Sequence, residues 1–155
     1  MLSLTIHAVL GVATTAYVLR ANRRFFTGGR WSPIEVVLAV VGVASVLLGY
    51  YFNYRYVDQF GKTASWWHFT ESLFSNWAAD SAAQDYIIAN VVLFPIWTIL
   101  DGRRRGISVP WGFFVMSLVT SFGFSVAAYL LVVERQVRSG GAPQGSGALE
   151  MSANG

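Results

Sequence analysis

The sequence predicts an all-α integral membrane protein. The expected architecture is a four-helix bundle with a short amphipathic interfacial helix between the second and third spans. Three observations point there. Charged residues make up only 12% of the chain, against about 25% in an ordinary soluble domain, too little to cover a water-facing surface. Apolar runs recur near the length of about 20 residues that crosses a hydrocarbon core. The basic residues cluster beside those runs, a pattern of membrane topology rather than of a basic nucleic-acid face.

Residues 1–138 are expected to form one membrane domain, and 139–155, rich in Gly, Ser and Ala, a disordered tail. The absence of cysteine excludes disulfides, thiolate metal sites and cysteine nucleophiles, and His7 and His68 are too few for a histidine-rich metal centre. No cofactor, metal or nucleic-acid partner is expected.

The first span covers 2–20. Nothing basic precedes it, whereas Arg20, Arg23, Arg24 and Arg30 follow. A signal peptide has the reverse order, so a retained helix with its N-terminus outside is expected. His7 reads as an interfacial histidine, or alternatively a proton-handling group.

The second span covers 33–54. Ser32 is its N-cap, Pro33 fits the first helical position, and Glu35 closes a capping box. Gly42, Ser45 and Gly49 share a face that lets another helix approach. Tyr50, Tyr51, Phe52, Tyr54 and Tyr56 suit an outer headgroup belt.

The connection that follows has helical periodicity over 65–77. Trp66, Phe69, Leu73 and Trp77 fall on one side, His68, Glu71, Ser72 and Ser75 on the other. It is expected to lie in the interface; the alternative is a lid over a pocket. His68 and Glu71 are spaced to touch, as a surface ion pair or as a catalytic dyad.

The third span covers 82–103, opened by a capping box at Ser81–Gln84, with Asp85 complementing the helix dipole. Asn90 sits about two turns into the hydrocarbon, where an amide needs a partner. A serine of the fourth span is one such partner, and a small polar cavity is the other reading. Pro95 predicts a kink nearby. Asp101 is expected to pair with one of Arg103, Arg104 and Arg105, the arginines that mark a cytoplasmic loop and suit lipid headgroups.

The fourth span covers 110–133, with Ser117, Ser121, Ser125 and Ala128 as a small polar stripe. Both termini are then outside a cell inner membrane, with loops 21–31 and 102–109 cytoplasmic. Seven basic residues fall inside and Arg55, Lys62, Arg135 and Arg138 outside, an acceptable balance that the last two weaken.

Several short motifs together resemble a family of small bacterial membrane proteins known as domain of unknown function 2834. They are Tyr51-Phe52-Asn53, Leu73-Phe74-Ser75-Asn76, Asp85, Trp97 and Asp101-Gly102-Arg103-Arg104. The likeness spans 37–138. Trp77 stands where the family has proline, and Asp101 where it has glutamate. The resemblance implies four helices and no known activity.

Phosphate-cradling loops, GxSxG and HExxH are absent. The expected function is a non-enzymatic accessory or interaction subunit, or a binder of a small apolar molecule or lipid. Its partners would be membrane lipids, another membrane protein or a second copy. The expected ligand-binding residues are Asn53, Trp67, His68, Glu71, Asn76, Asp85 and Asn90. The alternative is an intramembrane isomerase or cyclase acting on an isoprenoid or lipid, with Asp85 and Glu71 as acid and base.

Overall fold

The computed structural model describes residues 2–27 and 29–140. Regular structure among them is helical. The elements are α1 (Leu2–Ala21), α2 (Pro33–Phe60), α3 (Trp66–Leu73) and α4 (Trp77–Ile87). A π-helical stretch, Ile88–Leu93, carries α4 into α5 (Phe94–Arg104), and α6 (Gly112–Val119) and α7 (Phe122–Gly140) complete the chain. Three helical runs are long and apolar enough to cross a membrane: Leu4–Ala21, Pro33–Thr63 and Trp77–Arg104.

Local chemistry sets the helix starts. The Ser32 hydroxyl accepts from Glu35 N, and the Glu35 carboxylate accepts from Ser32 N at 2.7 Å, so α2 opens with the expected capping box. It continues to Phe60, past the expected end, and stops at Gly61, whose φ of 53° suits glycine. Ser65 caps α3. The third run starts earlier than expected: Asn76 Oδ1 accepts from Ala78 N and Ala79 N, both at 3.1 Å, which places Ser81 inside α4. Asparagine at the preceding turn takes the capping role that Ser81 was expected to fill.

Pro95 has no N–H, so the carbonyl of Val91 loses its α-helical donor. The chain absorbs the mismatch upstream as a π-turn, in which Phe94 N donates to Ala89 O.

The expected fourth span does not form as one helix. Thr120, at φ −123° and ψ −97°, divides it into α6 and α7. The two halves then run antiparallel. The Phe113 ring packs edge-on against Tyr129. On α2, Glu35 meets Arg135, Gly42 meets Phe124 and Ala127, and Ser45 meets Ser121. On α1, Asn22 meets Ser108, Val18 meets Gly112, and Gly11 meets Thr120. Both series descend as the other ascends, so α6–α7 is a re-entrant hairpin with its feet where α1 ends and α2 begins. The described end of α7 therefore lies at the opposite end of the molecule from the start of α1, whereas a fourth crossing over 110–133 would put the two on one side. This path corrects the four-span bundle to three span-length helical runs around a hairpin. Of the tail expected at 139–155, the first two residues belong to α7, which runs through Gly140, and the rest lies outside the described residues.

The break has a sequence cause. Ser121 acts as a helix cap within an apolar run: its hydroxyl accepts from Phe124 N at 3.1 Å and its carbonyl from Ser125 N. The core gathers around the hairpin, with Val18, Phe94, Ile107, Phe113, Met116, Tyr129 and Val132 buried together.

Close seating requires small residues. A Cβ on Gly11 would stand 2.9 Å from the Val119 carbonyl oxygen and 2.9 Å from Thr120 Cγ2. The first of these is backbone and cannot rotate away. Gly11→Ala is expected to destabilise the fold by about 1–3 kcal/mol, the usual cost of overpacking, read as a lower unfolding midpoint in detergent. An unchanged midpoint would mean the α1–hairpin contact is looser than described.

Candidate functional site

The polar side chains inside the bundle gather at the hairpin's tip and at its foot. At the tip, Ser45 and Ser121 share a hydroxyl–hydroxyl bond of 2.9 Å between α2 and the start of α7. Ser117 donates to Asn90 Oδ1 at 2.8 Å, and Asn90 donates from Nδ2 to the Tyr86 hydroxyl at 3.3 Å. Asn90 thus has the serine partner expected for it. Thr120 turns its hydroxyl back to Met116 O. Non-helical backbone within apolar surroundings is tolerated only where protein or a wet cavity covers it, and these bonds supply that cover.

The tip does not reach the far ends of the helices around it. It meets α1 at Gly11 and α2 at Ser45. At 1.5 Å per residue, α1 continues roughly 14 Å and α2 roughly 22 Å beyond it. α1 packs chiefly on α6 and α2 on α7, with little contact between α1 and α2 themselves. Above the tip the helices have apolar, largely exposed faces, including Ile6, Leu48 and Phe52. α3 lies across this end. Trp66 Nε1 donates to His7 Nε2 at 3.3 Å, and the Tyr56 hydroxyl lies 2.6 Å from His68 Nδ1. α3 is thereby tied to both α1 and α2.

At the foot, Glu35 is fully buried and its Oε1 lies 3.0 Å from Arg135 Nε and 2.9 Å from Arg138 Nη1. The Arg135 guanidinium also stacks over the Trp31 ring. Asp101 Oδ2 accepts from Arg105 Nε and from the Tyr129 hydroxyl, both at 2.7 Å. Asn22 clamps the loop before α6: Nδ2 donates to Ser108 O at 2.9 Å and Oδ1 accepts from Ser108 N at 2.8 Å. Arg24 donates to Gly106 O. Each half of the hairpin is therefore fixed to the chain at its base.

Of the residues expected to bind a ligand, Asn90 alone is buried. His68 is half-buried and engaged by Tyr56, not by Glu71. Asn53, Trp67 and Glu71 are exposed, and exposed Asn76 serves as a helix cap. Asp85 is exposed and accepts from Gln84 Nε2. Among the arginines expected at headgroups, Arg105 is held by Asp101, while Arg103 and Arg104 are exposed.

Sequence reasoning missed the cluster of Glu35 with Arg135 and Arg138, and the Asn22 clamp. One signal was present: Arg135 and Arg138 fit poorly on the outer side. Moved to the foot, they join Arg20, Arg23, Arg24, Arg30, Arg103, Arg104 and Arg105, leaving only Arg55 and Lys62 elsewhere.

These features define a class of protein, all-helical, with three helical runs fit to cross a membrane and a shorter hairpin packed among them. The chain belongs to the protein-of-unknown-function family DUF2834, whose model matches residues 36–135, from α2 to α7. No curated protein and no solved structure matches it.

Proposed function

We propose that the protein is a non-enzymatic membrane component that holds an apolar chain, such as a lipid tail, in the cleft above the hairpin tip. The carrying observation is the depth of the hairpin: α6–α7 stops beside Gly11 and Ser45 while α1 and α2 run on. Its floor is the hydroxyl and amide group of Ser45, Thr120, Ser121 and Asn90, its walls are apolar, and its cover is the aromatic α3. The clustering of nine arginines at the foot favours that end as cytoplasmic and the cleft as outward-facing. A plasma-membrane location is part of the same reading.

The intramembrane-enzyme alternative has less support. Glu35 and Asp101 are consumed in ion pairs, and Asp85 and Glu71 are exposed. Neither Asp85 nor Glu71 is held in an apolar enclosure, the setting that keeps a general acid protonated; half-buried Asp80 has an Oδ1 that accepts no hydrogen bond, but it is not a residue that reading names.

From Gly49, a residue facing Ser121, one helical turn leads to Asn53 on the same face of α2. Asn53→Trp is expected to fill the cleft without touching the hairpin. Mass spectrometry of gently purified protein should show the co-purifying lipid or isoprenoid reduced several-fold against the unmodified chain. Equal retention would remove the cleft as the binding place.

A further inference from the structure

We propose that the C-terminal end of α1 carries a second, separate site that binds the phosphate of an anionic phospholipid. An open hollow of about 370 Å³ is lined there by Tyr17, Arg20, Ala21 and Arg23. It lies at the foot of the bundle, far from the cleft above the tip, and does not depend on that cleft.

The two arginines are available, whereas four others at this end are engaged. Arg105 is paired with Asp101, Arg135 and Arg138 with Glu35, and Arg24 is turned to the Gly106 carbonyl. Arg20 and Arg23 are exposed and make no ion pair among the described residues. Guanidinium presents a planar fork of donors that matches phosphate oxygens two at a time. Two such forks beside a phenol hydroxyl supply more donors than one monoanionic phosphodiester needs, and Ala21 leaves the space between them open.

Position separates a lipid from free phosphate. The hollow sits at the boundary of the candidate span Leu4–Ala21. Above Tyr17, at spacings of four and three, come Ala13 and Leu10, both exposed. This apolar strip runs from the arginines toward the middle of the span. A headgroup bound by Arg20 and Arg23 would lay an acyl chain along it, whereas inorganic phosphate would gain nothing from it. Tyr17, with its ring half-exposed at the junction, suits the level between headgroup and chain.

The test is lipid titration of the full chain in detergent, followed by native mass spectrometry, with phosphatidylglycerol and phosphatidylcholine as probes. The expected result is preferential retention of phosphatidylglycerol. Combined Arg20→Ala and Arg23→Ala should weaken it about 10- to 30-fold, the scale of two basic groups near an anionic headgroup. Phosphatidylcholine retention should not change, and neither should retention of material in the outer cleft. Combined Arg103→Ala and Arg104→Ala, at the same end but outside the hollow, should leave the tight site intact. Both double variants replace exposed side chains, and helical circular dichroism checks that each folds. Equal phosphatidylglycerol affinity in the Arg20/Arg23 variant would overturn the proposal. So would equal loss in the Arg103/Arg104 variant, which would show a diffuse basic surface. Full displacement by millimolar inorganic phosphate would also overturn it, by assigning the hollow to a free anion.

Discussion

Ser139→Cys is expected to react with a membrane-impermeant maleimide from the same face as Thr27→Cys, and Lys62→Cys only from the opposite face. The sequence contains no cysteine, so each single substitution reports without background. The expected contrast is close to all or none. It follows from the re-entrant path: Glu35 binds Arg135 and Arg138 at the start of α2, and Arg135 stacks over Trp31. A helix crossing over 110–133 would put Ser139 on the side of Lys62. Shared labelling of Ser139→Cys and Lys62→Cys would therefore disprove the hairpin and the outer cleft with it.

The second large effect concerns Glu35. Its side chain is fully buried, and Arg135 is 5% exposed. Removing one partner of such a pair strands a charge, at a cost of about 3–5 kcal/mol. Glu35→Ala is expected to fall in that range, since it also removes the capping box over Ser32. Arg135→Ala should cost somewhat less, because Arg138 still reaches the carboxylate. Replacing both Glu35 and Arg135 by methionine should restore most of the loss, since a well-packed apolar pair often matches a buried ion pair. Reversible unfolding in mixed micelles measures all three. A loss under about 1 kcal/mol for Glu35→Ala would show that the charges are solvated and bear no load at the hairpin's foot.

Features set by neighbours in sequence were legible. The Ser32–Glu35 box, the Asp101–Arg105 pair and the disturbance caused by Pro95 each depend on residues within about one turn. One longer-range relation was legible too: an amide in an apolar run needs a partner, and Ser117 is on the segment expected to provide it. Direction was not legible. Hydropathy reads how apolar a stretch is, and 110–133 is apolar whether it crosses or turns back. Thr120 and Ser121 mark the turn, but a serine in an apolar helix is equally at home bonding to a preceding carbonyl. Rotation was not legible either: Asn53, Asn76 and Asp85 are exposed, and a residue's depth along an apolar run does not say which way its helix is rotated.

The hairpin tip also constrains the order of assembly. Its seats come from all three long helical runs: Gly11 on α1, Ser45 on α2, and Asn90 between α4 and α5. Until these stand together, the turn at Thr120–Ser121 would expose open backbone and hydroxyls to hydrocarbon. The segment synthesised after those helices is thus the piece that has no stable place before them. It closes the structure as a keystone closes an arch, and damage to any one of its seats should be felt at the other two.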